Sequence, residues 1–481
     1  MNDDALLQRL WDKDDTLFGP SGQAEVADRM GWLDSPAAMR REVEALRAFA
    51  HACGQDGLAD FILLGTGGSS LAPEVFARSF PGMEGALRPH VLVSTDADAL
   101  CAVEEAVDLD RTLVVAASKS GSTVETLSQL RYFRTRIADD ERFAVITDPG
   151  STLAELARQG AFRRTFLNDP DIGGRFSALS YFGLVPAALM GADLDALLAF
   201  DEREVAREGL ALGRRWARET QAGRDKLVLL APEAIATVDL WLEQLIAESL
   251  GKQGHGIVPV ADAPAGAQEG PDRQVFDTAA VGARDPEDLG RLFFLSQVAT
   301  AIAGHELGVN PFDQPDVQAA KDATEAVLAS PPVPTVPDAD DDALAALLHA
   351  QPPAYLAVLA FVQPSPAFDE AAAGLRALLQ ERTGCATTFG YGPRYLHSTG
   401  QLHKGGPPTG RFLQLVHRPT AEIEIPGAGH TFEALKRAQA LGDLRTLRVR
   451  GRPAERVELE GDDPAAALSA LTERIATVLR G

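Results

Sequence analysis

Short apolar runs alternate with helical patterns along most of the chain. Residues 61–64, 90–94, 112–117 and 143–147 are four such runs. Continuous apolar runs predict strands buried on both faces, and helices interleaved between them predict a parallel sheet. Leu6, Leu7, Leu10 and Trp11 share one helical face, and 24–50 predicts a longer helical stretch. Two long helices are expected at 176–190 and 194–220. A second series follows, with a strand at 227–230, a helix at 238–250, a strand at 257–260, a loop at 263–274 and an apolar helix at 289–304. Residues 331–342 are rich in Pro and Asp and follow neither period, which predicts an exposed linker. Later strands are expected at 354–362, 386–389, 412–416 and 446–449. The pattern predicts an α/β protein of mainly parallel, doubly wound sheets with helices on both faces. Its units are a helical segment at 1–44, a first α/β domain at 45–205 and a second at 206–481.

The 481 residues carry 69 acidic against 45 basic side chains, a net charge of −24. Such a surface repels phosphate backbones, which excludes general nucleic-acid binding. An anionic ligand would need a local basic site inside an acidic field. Cys53, Cys101 and Cys385 form neither a disulfide framework nor a CxxC pair, so reduced thiols are expected. Met1-Asn2-Asp3-Asp4 is acidic, no apolar leader follows it, and no run spans a membrane. A soluble cytoplasmic protein is the expectation. Only 7 of the 45 basic residues are lysine, so each lysine is informative.

In doubly wound sheets, ligands bind where strand ends meet helix N-termini, and those N-termini favour anions. Gly65-Thr66-Gly67-Gly68-Ser69-Ser70 follows one expected strand. Ser118-Lys119-Ser120-Gly121-Ser122-Thr123-Val124-Glu125-Thr126 follows another. Neither matches a P-loop or GxGxxG. Dense hydroxyls and backbone N–H groups with one lysine suit a phosphate dianion; helix capping by Ser and Thr is the alternative. Gly173-Gly174-Arg175-Phe176-Ser177 places an arginine beside two glycines, over a site or in a surface turn. Glu248, in Gln244-Leu245-Ile246-Ala247-Glu248-Ser249-Leu250-Gly251-Lys252, ends an apolar helix, where a partly buried carboxylate suits a general base. A solvated helix end is its alternative. Asn310-Pro311-Phe312-Asp313-Gln314-Pro315 is a fixed turn before Lys321. A last motif runs from Tyr391-Gly392-Pro393-Arg394 through His397 and His403-Lys404 to Pro407. Its two histidines lack a carboxylate to complete a metal set. Four of the seven lysines, Lys119, Lys252, Lys321 and Lys404, fall in these motifs.

In this order the motifs between 65 and 321 resemble the phosphoglucose isomerase family, built from two sugar-isomerase (SIS) domains. The segment 391–407, with Thr431-Phe432 and Leu441-Gly442-Asp443, resembles the isomerase half of fused transaldolase/glucose-6-phosphate isomerase proteins; the barrel half has no counterpart here. The resemblance implies interconversion of glucose 6-phosphate and fructose 6-phosphate in glycolysis and gluconeogenesis, through a cis-enediol. It implies no metal and no cofactor, and a homodimer with a site shared between subunits. Carried over by motif, Gly68, Ser69, Ser118, Lys119, Ser120, Ser122, Thr123 and Thr126 would hold the phosphate. Glu248 would be the base, Arg175 would stabilise the enediolate, Gln244 and Gln314 would line the sugar pocket, and Lys321 would assist ring opening.

The sequence departs from the family at the histidine that opens the sugar ring. The family carries a Gln-His pair after the base motif, where this chain has Gln268-Glu269. His403 is the candidate replacement, with His397 second and His305 third. A loop-structuring role for His403, and ring opening by Lys321 with water, stay open. Three other readings stand beside the isomerase. A non-catalytic sugar-phosphate sensor would need neither Glu248 nor Lys321. A dual phosphoglucose/phosphomannose isomerase would differ around C2, near Ser249. An aminosugar enzyme would normally add a glutamine-hydrolysing domain.

Overall fold

The alternation along β1 (Asp60–Leu64) sends Phe61 and Leu63 into one apolar core and Ile62 and Leu64 into another. In β3 (Thr112–Ala117), Leu113, Val115 and Ala117 join the first core while Val114 and Ala116 join the second. Burial on both faces is why these strands read as continuous apolar runs. With β2 (Arg88–Leu92), β4 (Phe143–Thr147) and β5 (Arg164–Leu167) they form a wholly parallel sheet of order β2-β1-β3-β4-β5. Strand order reverses between β1 and β3, and the crevice at their carboxyl ends is where this topology receives ligands. The computed structural model describes residues 2–80, 82, 85–329 and 331–480. Met1, and the outer limits 1 and 481 of the expected units, lie outside them.

Two smaller parallel sheets follow. β6 (Lys226–Leu230), β7 (Val258–Val260) and β8 (Arg273–Asp277) are ordered β7-β6-β8. β9 (Tyr355–Phe361), β10 (Ala386–Tyr391), β11 (Gly410–His417) and β12 (Ala454–Leu459) are ordered β10-β9-β11-β12. β10 packs beside β7, and one core cluster takes Val228 and Val258 from one sheet and Leu359 and Phe412 from the other. The long helix Phe432–Val449 returns to the first sheet. Phe432 and Leu435 join the core under helix Val124–Arg136, and Lys436 forms a fully buried ion pair with Asp96 at 2.8 Å.

Several sequence expectations need correction. Residues 446–449 are the last turn of that helix, not a strand. Leu444 and Leu447 are buried three positions apart, a helical spacing, while Val449 is 88% exposed. β5 and β12 went unread, and the expected loop at 263–274 runs into β8. All three are sheet edges; exposed positions interrupt β5 and β8, and charged residues interrupt β12, so they lack the continuous apolar run that marks an interior strand. The stretch 24–50 is irregular up to a 3-10 turn at Gly31–Leu33. Helices Ser35–Met39 and Val43–Gln55 follow, and Glu25 sits at φ +58°. The helix expected at 176–190 is a 3-10 turn, Gly174–Phe176, then helix Tyr181–Leu189. That expected at 194–220 divides into Leu194–Leu197 and Glu202–Gln221. Of the expected linker 331–342, residues 331–340 have no regular structure, while 341 and 342 open helix Asp341–Leu348. Among the described residues, no helix is long and apolar enough to cross a membrane.

Candidate active site

Two helices begin at the β1/β3 crevice. The turn after β1 winds through a 3-10 segment, Gly67–Ser69, into helix Leu71–Ser79. The loop after β3 leads into helix Val124–Arg136. The flanking Ser70 and Thr123 make no side-chain capping bond to their own helices. The capping alternative therefore fails here, and both helix ends keep backbone N–H groups for a ligand. Gly67 takes φ +55°, and a Cβ on Gly68 would overlap the carbonyl of Gly174. Only glycine lets the phosphate-type turn and the Arg175 turn approach so closely.

These turns open onto a cleft of about 480 Å³. Ten of the expected residues line it: Gly68, Ser69, Lys119, Ser120, Thr123, Arg175, Gln244, Glu248, Gln314 and Lys321. The other phosphate candidates sit around it. The Ser118 hydroxyl is 2.9 Å from that of Thr123 and accepts the Gly121 N–H. Ser122 stands exposed, 3.0 Å from the Ser120 hydroxyl, and Thr126 is fully buried with its hydroxyl unpartnered. Lys119 pairs with Asp148 and donates to the Pro170 carbonyl at 2.7 Å.

Arg175 is buried and donates four hydrogen bonds. Its partners are Ser249 Oγ (2.8 Å), Gln314 Oε1 (2.8 Å), the Pro311 carbonyl (2.7 Å) and the Asp313 carbonyl (3.0 Å). Its Nη1 also lies 3.2 Å from Glu248 Oε1. The Asn-Pro-Phe-Asp turn is thus one wall of the arginine socket. Lys252 pins that turn from below, donating to Asn310 O, Asp313 O and Asp313 Oδ1 at 2.6–2.7 Å. Burial, then the Arg175 charge, lowers the Lys252 ammonium to about 8. Ser249, suspected above of facing C2, instead fixes the arginine. Gln244 donates to Glu248 Oε2 (3.0 Å) and to the His397 carbonyl (2.7 Å), leaving its own Oε1 buried and unpartnered.

The histidine assignment changes. His403 does not line the cleft. It is 2% exposed, and its ring lies 5.0–6.2 Å from those of Phe412, Tyr395 and Tyr355. Burial, reinforced by Lys404 and Arg452, holds its pKa well below the ordinary value. His305 lies in the last turn of helix Leu289–Leu307, its Nδ1 2.8 Å from the Leu17 carbonyl. His397, the second candidate, lies on the cleft wall with its Nε2 2.8 Å from Glu125 Oε1. Gln439, from helix Phe432–Val449, donates to the same carboxylate oxygen at 2.7 Å. Burial works to raise the Glu125 carboxyl, yet the His397 charge and hydrogen bond bring it below its ordinary value.

Three residues of the site escaped sequence reasoning. Glu125 stood inside the Ser-Lys-Ser motif without a role, and its position two residues after Thr123 was the available signal. Gln439 had no signal. Arg29 also lines the cleft, from the irregular segment that read as helix. Arg29, Lys119, Arg175 and Lys321 together make the local basic site that the acidic chain required.

The chain is similar to known proteins in sequence and in fold. The sequence model of phosphoglucose isomerase matches residues 21–203. The chain is similar to the glucose-6-phosphate isomerase of Rubrobacter xylanophilus, at 28% identity over 392 residues, 64% of this chain and 90% of that one. It is 35% identical to a glucose-6-phosphate isomerase of Thermus thermophilus over 247 residues, 48% of this chain and only 57% of that relative. In fold it is similar to the crystal structure of a glucose-6-phosphate isomerase from Chlamydia trachomatis. The TM-score is 0.54 and the identity 19%, over 68% of this chain and 83% of that one.

Proposed function

We propose that the chain is a member of the phosphoglucose isomerase family and that it interconverts glucose 6-phosphate and fructose 6-phosphate by proton transfer. One observation carries the reading. The Glu248 carboxylate, paired with a buried arginine, faces the same cleft as two uncapped helix ends. A base and an anion site then line one cleft of about 480 Å³.

In this proposal the phosphate rests on the Gly68-Ser69 turn and on Lys119, Ser120 and Thr123, with Ser118, Ser122 and Thr126 shaping the loop beneath. Lys119 would exchange Asp148 for the phosphate. His397, oriented by Glu125, gives a proton to the ring oxygen while the hydroxyl on the anomeric carbon loses its own. Lys321, which lines the same cleft, assists. In the open aldose, Glu248 takes the C2 proton and returns it to C1, while the proton of the C2 hydroxyl passes to the C1 oxygen. The product is the ketose, with no net change in atoms or charge. Arg175 faces the enediolate oxygen, where a preorganised buried cation lowers the barrier most. Gln244 and Gln314 orient the sugar hydroxyls.

The same proposal makes the protein a cytoplasmic homodimer; the free thiols of Cys53, Cys101 and Cys385 support a reducing compartment. It keeps the unit limits 1–44, 45–205 and 206–481, although one core cluster runs from Leu6 to Phe312 across both boundaries. The test is a coupled assay of fructose 6-phosphate in EDTA. Rapid formation of glucose 6-phosphate supports the isomerase. No turnover, with sugar phosphate still raising the melting temperature, would point to a binding protein instead.

A further inference from the structure

His397 belongs to a 3-10 turn, Arg394–His397, which follows β10 and reaches across to the first sheet. The turn is tied down at both ends. At its start, Arg394 Nη1 lies 3.2 Å from Glu74 Oε2 and 3.4 Å from Oε1. Glu74 sits on helix Leu71–Ser79, which begins at the Gly-rich turn of the cleft. At its end, the His397 carbonyl accepts the Gln244 amide of the helix that carries Glu248. The Arg394 and Glu74 side chains are 13% and 12% exposed, and the guanidinium also lies 5.8 Å from the Tyr391 ring. Arg78, the other cation near Glu74, is 3.7 Å away and 65% exposed. An ion pair so shielded holds its geometry better than one in open solvent.

We infer that the Arg394–Glu74 ion pair positions His397: it fixes the turn against the first sheet and sets the reach of the imidazole into the cleft. The pair touches neither Glu248 nor Arg175, and Gln244, which the His397 carbonyl shares with Glu248, keeps Glu248 Oε2 as its second acceptor, so the larger effect falls on ring opening rather than on proton transfer between C1 and C2. The inference rests on the isomerase reading and on His397 as the ring-opening acid. Acid–base steps demand close geometry, and a displacement near 1 Å costs roughly 10²-fold.

The experiment compares Arg394→Gln and Glu74→Gln with the wild type on two substrates. One is fructose 6-phosphate. The other is 5-deoxyfructose 6-phosphate, which lacks the hydroxyl that closes the ring and so enters the reaction already open; its turnover is followed by NMR. Each variant should lose roughly 10–10²-fold in kcat on the ring-forming sugar and little on the open one. Arg394→Lys should recover most of that loss, and it keeps the comparison available should Arg394→Gln misfold. Equal losses on both substrates would overturn the inference, because a general disturbance of the fold acts on both. Amide hydrogen exchange at 391–399 reads the contact without any turnover. Faster exchange there in Glu74→Gln, with helix Val238–Leu250 unchanged, supports the pinning even if the wild type proves inactive on both sugars, an outcome that would sink only the isomerase reading. Unchanged exchange in both glutamine variants would overturn the inference.

Discussion

Gly68 packs so closely on Gly174 that a single methyl group on the first would overlap the carbonyl oxygen of the second. The two glycines belong to different motifs, one shaping the anion turn and the other the socket of Arg175. Their contact couples the Gly-rich turn after β1 to the turn that carries Arg175. The neighbouring atoms at Gly68 are backbone, so they cannot swing aside. Gly68→Ala should therefore push the Arg175 turn away, with a roughly 10²-fold fall in kcat/KM and a stability loss of about 1–3 kcal/mol. Steady-state kinetics and denaturant melts would measure both, and near-normal turnover would show that the two turns are not coupled.

Glu248→Gln removes the proposed base while keeping its size and its neighbour Gln244. Turnover should fall by roughly 10²–10⁴-fold. Sugar-phosphate binding, read as a ligand-dependent rise in melting temperature, should persist because the anion loops are untouched. Retained turnover would remove Glu248 from the mechanism.

His403→Phe should leave activity largely intact, since the ring lies among aromatics away from the cleft. It should also change the acid response. Burial keeps His403 neutral in the native state, while the unfolded chain binds a proton below about pH 6.5. The unfolded state then carries more protons, so wild-type stability is present above that pH and is lost on acidification. Melting curves from pH 7 to pH 5 should fall less steeply for the phenylalanine variant.

Two carboxylates act in the opposite sense. Burial raises both Asp239 and Glu243 to about 7. Their native forms hold protons that the unfolded chain has already released, so their contribution is full at pH 4 and is lost as pH rises through 7. Asp239→Asn supplies a permanently neutral group of the same shape. It should match the wild type near pH 4 and exceed it at pH 8 by about 1–3 kcal/mol. Equal stability at both values would mean that solvent reaches Asp239.

Most of the first sheet was legible because its interior strands are buried on both faces, which leaves an unbroken apolar signature. β5, β8 and β12 were not, because an edge strand keeps polar residues on its open side. The helix ending at Val449 was misread for a related reason. Four residues are too few to separate a helical from a strand period.

The chain alone determined which residue types stand at the strand ends. Gly67-Gly68-Ser69, Ser118 to Thr126, Arg175 and Glu248 owe their chemistry to local spacing, and local spacing is written in sequence. Which histidine lines the cleft was decided elsewhere. His397 and His403 are six positions apart in one Gly-rich segment, and nothing local distinguishes them. Packing sends His403 among Tyr355, Tyr395 and Phe412, while Arg394 and Gln244 carry His397 to Glu125, 272 residues away. Arg29 and Gln439 reach the site or its support in the same way. A contact across hundreds of residues is set by how sheets and helices stack, and that information exists only once the whole chain has folded.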